Sequence, residues 1–356
     1  MAYYIVFFIS AFISLILNNK GKSIALVILI FILTFFAGTR LDVDNDYHMY
    51  YKSLLYMEKS LKDFQNREIP IELTMYLFPK FFEFIFNNKV AIVRSVFFSY
   101  ALIGVTTKLV SIKKTSDFFF LSVILYTSNL FFMMEMTTIR AGVAAGIFLL
   151  SIKCLEEKNN KKFILLLILA YLFHSSSILF LIPWLLLKIK FNIRYYYIFI
   201  IVGFLSALFK INILTILFLD KIFPRVDIYI KAMEWMKEKD TNIFNFKIIF
   251  ALLLIVIFAF YYKKMKEIKY FDVLFKIHLI SVSLFFMLST SAQVFSIRTF
   301  ELFSVVQIIL YPMIIHVFHP KFKILGWLMI IIFSFIQLYY IISVADIYQT
   351  YKSWFF

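Results

Sequence analysis

The chain has 356 residues, of which 63% are hydrophobic, 21% aromatic and only 16% charged. A water-soluble protein of this composition would expose far too much apolar surface, so we predict an all-α, polytopic integral membrane protein. The formal net charge of +16 does not indicate a nucleic-acid partner here, because the lysines form short clusters between apolar runs, as membrane topology signals do. The single cysteine, Cys154, excludes a disulfide framework and a cysteine metal cluster.

The apolar runs predict about twelve transmembrane helices in a single membrane domain, residues 1–356. The first run lacks a basic n-region and a small-residue cleavage site, so we expect a retained helix and not a signal peptide. Several runs are shorter than the roughly 20 residues that cross a bilayer, so their ends must tilt, thin the membrane or be buried in protein. The predicted spans are 3–17, 24–38, 90–110, 118–134, 139–155, 163–173, 176–187, 195–217, 247–262, 273–291, 299–317 and 324–345.

The segment 71–88 is either a poor span or an amphipathic helix on the membrane surface, because Pro79 and charged residues interrupt it. The positive-inside rule chooses between the two. If this segment does not cross and the N-terminus is outside, all the lysine clusters fall in the cytoplasm. We therefore predict that both termini are outside, with an external loop 39–88 that contains an amphipathic helix. A second external loop, 218–246, is either an amphipathic helix or a solvated loop.

The arginines distribute differently from the lysines. In this topology only Arg194 is cytoplasmic, and the other six arginines lie at or near outer helix ends. Guanidinium binds phosphate and carboxylate bidentately, whereas lysine serves as a bulk charge. The distribution favours an anionic substrate on the outer face, and the alternative is that external loops simply need charge.

The loop after the second predicted helix carries three aspartates with the spacing of a calcium-binding loop, namely Asp42, Asp44 and Asp46. Such a loop needs glycine at its sixth position and glutamate at its twelfth, but Tyr47 and Ser53 stand there, so we predict no calcium site. The aspartates either include one that acts as a base or are all ionised beside Arg40. A hydrated loop is the structural alternative.

Arg140 lies in the first turn of a predicted helix rich in small residues, such as Gly142 and Gly146, which let a neighbouring helix approach closely. An ionisable residue at a helix end inside a bundle is a functional hypothesis by default, and snorkelling to the membrane surface is the alternative.

His174 interrupts two apolar half-runs and is followed by three serines. A break at membrane depth requires protein or a water-filled cavity around the backbone. His174 could bind phosphate when protonated, shuttle protons when neutral, or belong to a packing network with the serines. Ser175 lacks the elbow motif of a hydrolase nucleophile.

Arg298 and Glu301 share one helix face at the i, i+3 spacing. They either pair with each other or line a polar cleft together with Gln293 and Gln307. His278, His316 and His319 fit no metal-ligand spacing, and we predict no metal and no cofactor.

Two sets of motifs indicate a family. The first is an arginine after the second helix followed by roughly R-Y-x-V-G-T-D-Y-x-x-Y, with an acidic residue opening the next helix. The second is I-R-x-G-x-A-x-A, then L-A-x-x-F-H-x-S, and finally a late arginine. The matching residues are Arg40, Val43, Asp46, Tyr47, Tyr50 and Glu72, then Ile139, Arg140, Gly142, Ala144, Ala170, Phe173, His174 and Ser176, and Arg298. In the first motif, Asp44 stands in place of a glycine and Leu41 in place of an aromatic residue.

On these motifs the chain resembles the EpsG branch of the Wzy-type polysaccharide polymerases, which assemble bacterial exopolysaccharide, capsule and O-antigen. The resemblance implies a fold similar to the glycosyltransferase C superfamily and a site facing outside the cytoplasmic membrane. It implies that a glycan is transferred from undecaprenyl diphosphate to another lipid-linked oligosaccharide repeat unit. Expected partners are those lipid-linked donors and acceptors, the bilayer, and a chain-length regulator and flippase of the same pathway.

The roles that the resemblance implies follow the chemistry of that transfer. Arginines stabilise the leaving diphosphate and a carboxylate deprotonates the acceptor hydroxyl. The expected assignments are Arg140 and Arg298 on the diphosphate with His174 beside them, Asp46 or Glu72 as base, Arg40 holding the loop or binding donor, Tyr47 and Tyr50 stacking on sugars, and Glu301 in substrate binding.

Three other classes compete with a polymerase. A flippase or transporter of lipid-linked oligosaccharide would show charges at mid-membrane on several helices and often repeat symmetry. A membrane acyltransferase is not excluded by His174 alone. An O-antigen ligase shares the chemistry and differs in its acceptor.

Overall fold

The computed structural model describes residues 1–17, 21–58, 60–67, 71–216, 221, 241–291 and 293–355. The protein is 78% helical and has no strand among these residues, which confirms the predicted all-α class. The α-helices are α1 (Ala2–Ile16), α2 (Lys22–Gly38), α3 (Tyr47–Leu55), α4 (Leu61–Gln65), α5 (Thr74–Glu83), α6 (Lys89–Thr115), α7 (Phe119–Leu125), α8 (Ile139–Glu156), α9 (Asn160–Phe173), α10 (Leu181–Lys188), α11 (Ile193–Leu208), α12 (Ile213–Ile216), α13 (Phe246–Phe260), α14 (Tyr262–Met265), α15 (Phe271–Leu288), α16 (Gln293–Ser304), α17 (Gln307–Leu310) and α18 (Lys323–Tyr339).

Tighter and wider helical turns extend several of these helices. The π-helical segments are Tyr126–Leu130, Phe132–Thr137 and Tyr340–Val344, and the 3₁₀ segments are Ser175–Phe180, Tyr311–His316 and Pro320–Phe322. π-Helical turns inside α-helices often occur at functional sites. Two of the three lie between α7 and α8, the helix that carries Arg140.

Three described helices are long and apolar enough to cross a membrane, namely Lys89–Thr115, Phe271–Leu288 and Pro320–Val344. A pair bent by 45°, Phe295–Ser304 and Gln307–His316, would make a fourth. The shorter apolar helices of 10–17 residues are Ala2–Ile16, Lys22–Gly38, Phe119–Leu130, Ser175–Lys188, Ile193–Leu208 and Phe246–Phe260. The chain is thus an apolar helical membrane protein, whereas the count of about twelve spans stays a prediction. Most of the predicted loop 218–246 lies outside the described residues.

The helices form two compact units: Met1–Phe180 with Phe318–Phe356, and Leu181–Val317. In the first unit α6 packs against α2 and α8. Gly38 at the end of α2 faces Phe98, and Ser23 at its start accepts a hydrogen bond of 2.7 Å from Lys113. The two helices are therefore antiparallel, and the end of α2 lies beside the first turns of α6.

The loop after α2 is held by the C-terminal residues of the same unit. The backbone N–H of Leu41 donates to the Lys352 carbonyl at 2.9 Å, and the N–H of Trp354 donates to the Thr39 carbonyl at 3.0 Å. Arg40 and Ser353 form an isolated antiparallel bridge between these hydrogen bonds. These contacts fix the backbone from which the Arg40 side chain enters the unit.

The second unit is organised around α15, which packs against α11 and α16. Gly203 of α11 faces the Ser283 carbonyl of α15 so closely that a Cβ there would lie 2.9 Å from the oxygen. The absence of a side chain at this position therefore allows the two helix backbones to meet.

Candidate active site

The Glu72 carboxylate connects three of the polar segments that the sequence singled out. It lies just before α5 and is buried, at 8% exposure. Its Oε2 accepts a hydrogen bond from Arg140 Nη1. Its Oε1 accepts hydrogen bonds of 3.2 Å from both the backbone N–H and the hydroxyl of Ser175, and His174 Nδ1 lies 3.3 Å from the same oxygen. One carboxylate thus joins α5, α8 and the junction after α9.

The break that the sequence predicted at His174 creates the donors for Glu72. His174 is extended, with φ −154° and ψ 117°, and ends α9. The 3₁₀ segment Ser175–Phe180 begins at the next residue, where backbone N–H groups have no partner within a helix. The Ser175 N–H therefore points at the carboxylate instead of extending α9.

Arg140 is placed by the first turn of α8. Its Nε lies 3.5 Å from the Tyr50 hydroxyl, and its guanidinium carbon lies 5.3 Å from the centre of the Tyr50 ring. The Arg140 side chain is 22% exposed and that of His174 is 23% exposed. Behind the cluster, Thr74 hydrogen-bonds to Tyr100 at 2.7 Å and to the Leu172 carbonyl at 3.1 Å, which ties α5 to α6 and α9.

The surroundings keep Glu72 ionised. Burial raises the pKa of the Glu72 carboxyl, but hydrogen bonding to His174, the Arg140 charge and the Ser175 N–H outweigh it and hold the pKa well below its usual range. A carboxylate in this state is a weak base. It is a strong anchor for a guanidinium, because hydrogen bonds between charged partners are about twice as strong as neutral ones.

Arg40 lies in a second cluster of the same unit and is fully buried, with a side-chain exposure of 0%. Nε donates to Asp44 Oδ2 at 3.2 Å, Nη1 donates to the Ala37 carbonyl at 2.9 Å, and Nη2 donates to the Met136 carbonyl. The guanidinium carbon also lies 5.0 Å from the centre of the Phe97 ring. These contacts hold the loop to the π-helical segment, which corresponds to the first of the two roles expected for Arg40.

The aspartates of the loop are not equivalent. Asp44 is buried beside Arg40, and its Oδ1 accepts a hydrogen bond of 3.1 Å from the Asp46 N–H. Burial raises the pKa of the Asp44 carboxyl, although the Arg40 charge opposes this. Asp46 is half-buried directly before α3, and Asp42 pairs with His48 at 2.9 Å on the surface. Among the described residues no group of three His, Cys, Asp or Glu residues could hold a metal ion.

The two tyrosines expected to contact sugars are both buried. Tyr47 stacks on Phe97 with ring centres 5.2 Å apart and an angle of 15° between the rings, and burial raises its pKa to about 12. Tyr50 contacts Arg140 through both its ring and its hydroxyl. Tyr50 thus belongs to the Glu72 cluster, whereas Tyr47 belongs to the packing around Arg40.

Arg298 and Glu301 lie on α16 in the second unit. Arg298 Nη1 is 3.4 Å from Glu301 Oε2, so the ion pair allowed by their i, i+3 spacing is present. The Arg298 side chain is 40% exposed and that of Glu301 is 10% exposed. Lys247, at the start of α13, lies within electrostatic range of both. The side chain of Gln293 lies outside the described residues.

A family profile described as the EpsG family matches residues 23–355. The chain belongs to the EpsG family. The resemblance inferred from the sequence motifs is thereby confirmed over nearly the whole chain. Comparisons with curated proteins and with solved structures give no match.

Within this EpsG-family chain, the structure brings together four of the residues predicted from the sequence, namely Tyr50, Glu72, Arg140 and His174. Arg40 and Tyr47 form the neighbouring buried cluster, with Asp46 at its edge. Arg298 and Glu301 form a pair in the other unit. The sequence motifs named the members of the Glu72 cluster, but they did not indicate that one carboxylate bridges them.

Sequence reasoning missed one buried charged pair in the EpsG-family chain. Lys108 on α6 and Glu135 in the π-helical segment Phe132–Thr137 lie 2.5 Å apart, with side-chain exposures of 0% and 1%. The signal was present, because an ionisable residue inside an apolar run is itself unusual. Both residues fall at the edges of predicted spans, where snorkelling is the simpler interpretation.

Proposed function

We propose that this protein is a polysaccharide polymerase that joins undecaprenyl-diphosphate-linked oligosaccharide repeat units on the outer face of the bacterial cytoplasmic membrane. The observation that carries the proposal is the cluster of Glu72, Arg140 and His174. In an EpsG-family chain, it gathers a guanidinium, an imidazole and a carboxylate from three distant segments at a partly exposed position.

The reaction transfers the glycan from its diphosphate to the acceptor. The acceptor hydroxyl oxygen forms a bond to the anomeric carbon, the bond from that carbon to the diphosphate breaks, and undecaprenyl diphosphate leaves with the electron pair. Negative charge therefore develops on the leaving group. A guanidinium aimed at the diphosphate stabilises this charge more in the transition state than in the ground state.

Arg140 suits this role because its present partner is exchangeable. The guanidinium is held by Glu72 and Tyr50 yet remains 22% exposed, so an arriving phosphate can reach it and compete with Glu72 for a donor. The imidazole of His174 lies beside it, is 23% exposed and can supply a second donor to a phosphate.

If the phosphate replaced Glu72 as the partner of Arg140, Glu72 would also become a stronger base. In the cluster, His174 and Arg140 hold the pKa of Glu72 down, and binding of both side chains to the diphosphate would remove that restraint. The Glu72 pKa would then rise toward the range of a general base, and the carboxylate would accept the proton of the acceptor hydroxyl. Asp46 is the second candidate base, because it is half-buried at the start of α3.

We also propose Arg298 as a phosphate ligand, because of its exposure and its neighbours in the second unit. It is the more exposed member of its ion pair, and Glu301 serves as its partner while no anion is bound. The Lys247 amine lies within electrostatic range of this pair.

The proposal is tested by deleting the protein from its host and analysing the surface glycan. A surface glycan that consists only of single repeat units on their lipid supports a polymerase. An absence of surface glycan with cytoplasmic accumulation of lipid-linked units would indicate a flippase. Full-length polymer that remains on its lipid would indicate a ligase, and a polymer of normal length that lacks acyl groups would indicate an acyltransferase.

A further inference from the structure

The buried pair of Lys108 and Glu135 requires an explanation beyond packing. On the most lenient scale, one charge inside a membrane costs about 3 kcal/mol, and apolar side chains of similar volume are often as stable as a buried ion pair. Nevertheless, neither side chain is more than 1% exposed, and Tyr126 donates a further hydrogen bond of 3.0 Å to Glu135.

Lys108 makes a second contact, which connects it to the Arg140 helix. Its Nζ donates to the Gly142 carbonyl at 2.7 Å in addition to Glu135. Side chains on a helix lean toward its N-terminus, so the ammonium reaches back along α6 toward the level of Gly104. A Cβ at Gly104 would collide with the Glu135 carboxylate, which shows how closely the acid lies against α6.

The two acceptors of Lys108 lie on opposite sides of a helix break. Glu135 belongs to the π-helical segment that ends at Thr137, and Gly142 belongs to the first turn of α8. Between them Thr138 leaves helical geometry, with φ −95° and ψ 55°. Arg140 starts from this same turn, so the angle between the two segments determines where its guanidinium lies.

We propose that Lys108, through its bridge between Glu135 and the Gly142 carbonyl, positions Arg140 on Glu72 and on the substrate phosphate. Lys108 and Glu135 are positioning residues in this account, since neither reaches the Glu72 cluster. Gly142 completes the device, because a Cβ there would collide with the Met134 carbonyl. The inference rests on the proposed role of Arg140 as a phosphate ligand.

The experiment compares the wild type with K108M/E135M, which removes both charges and leaves no unpaired one. The matched control is K113M, since Lys113 lies on the same helix and its exposed ammonium bonds to Ser23. Two readouts are taken on protein in nanodiscs, corrected for the folded fraction. They are the backbone hydrogen exchange of 133–146 and the steady-state kinetics of transfer between lipid-linked repeat units.

For K108M/E135M we expect wild-type yield, exchange about tenfold faster in 133–146 alone, and kcat about tenfold to a hundredfold lower with a smaller change in KM. K113M should match the wild type in both readouts. Wild-type exchange and kcat in K108M/E135M would overturn the proposal, and so would faster exchange throughout the chain, because either result makes the pair a stability device only.

G142A provides a second route if K108M/E135M fails to fold. It displaces the same junction without touching a charge, so we expect the same local exchange and the same loss of kcat. Wild-type values for G142A would overturn the proposal. If wild-type protein transfers no glycan, the proposed function fails, and the exchange measurement still decides whether Lys108 orders the junction.

Discussion

Replacing Arg140 by lysine keeps the positive charge but removes the planar fork of donors that a guanidinium presents. The guanidinium contacts Glu72 through Nη1 and faces the Tyr50 hydroxyl through Nε, so it presents donors in two directions at once. Lysine is a point charge and cannot reproduce that fork. One lost hydrogen bond to a charged group is worth about 1.5–3 kcal/mol, which corresponds to about tenfold to a hundredfold in kcat/KM.

The assay is glycan transfer by purified protein in proteoliposomes, read as the length distribution of the product. R94K is the matched control, because Arg94 contacts the Trp354 ring at 5.0 Å and is not part of the Glu72 cluster. We expect R140K to give little or no polymer at a normal level of folded protein, and R94K to polymerise like the wild type. Polymer of wild-type length and rate from R140K would refute the phosphate role of Arg140.

The remaining predictions concern the two carboxylate clusters and the topology. The pKa of Glu72 is lower in the folded protein, so ionised Glu72 stabilises the fold above its ordinary pKa of 4.5, and this contribution is lost as the pH falls through the lower folded pKa. E72Q should therefore flatten the acid side of a profile of thermal stability against pH. An unchanged profile would contradict the lowered pKa of Glu72. D44N should lower the yield of folded protein, since breaking the buried ion pair with Arg40 costs about 3 kcal/mol. D46N should fold normally and lose transfer activity. The reverse outcome would exchange the roles of the two aspartates. In a chain whose Cys154 is replaced, a cysteine at the exposed Asn45 should react with a membrane-impermeant thiol reagent added outside the cell, and labelling only from the cytoplasm would refute the topology.

The sequence singled out the residues of the Glu72 cluster but not the contacts between them. Arg140 and His174 stand out because each interrupts an apolar stretch, where an ionisable residue demands an explanation. The carboxylate that joins them is 68 residues from Arg140 and 103 residues from Ser175. Contacts over such distances depend on how the helices pack, and no local pattern encodes that.

The loop after α2 shows a finer limit of sequence reasoning. Asp44 and Asp46 are two residues apart and both lie within reach of Arg40, so the chemistry of the side chains does not distinguish them. The distinction comes from the backbone, which turns Asp44 inward beside Arg40 and leaves Asp46 half-buried at the start of α3. The motif match pointed to Asp46, whereas the partner that holds Arg40 is Asp44.

Composition also did not predict where the α-helices end. Apolar residues predict where the chain meets lipid, but they do not show where an α-helix gives way to π-helical or 3₁₀ turns. The predicted span 118–134 is an α-helix of seven residues, Phe119–Leu125, followed by two π-helical segments. That change of helix type places Glu135 against Lys108, which the periodicity of the sequence did not indicate.

Polymerase activity is measured most directly by reconstituting the purified protein with lipid-linked oligosaccharide repeat units as the sole substrate. We expect a ladder of products that differ by one repeat unit, still on undecaprenyl diphosphate, and one undecaprenyl diphosphate released for each bond formed. R140K should form this ladder about tenfold to a hundredfold more slowly, and R94K should form it like the wild type. Transbilayer movement of the repeat unit without any increase in its length would show that the protein is not a polymerase.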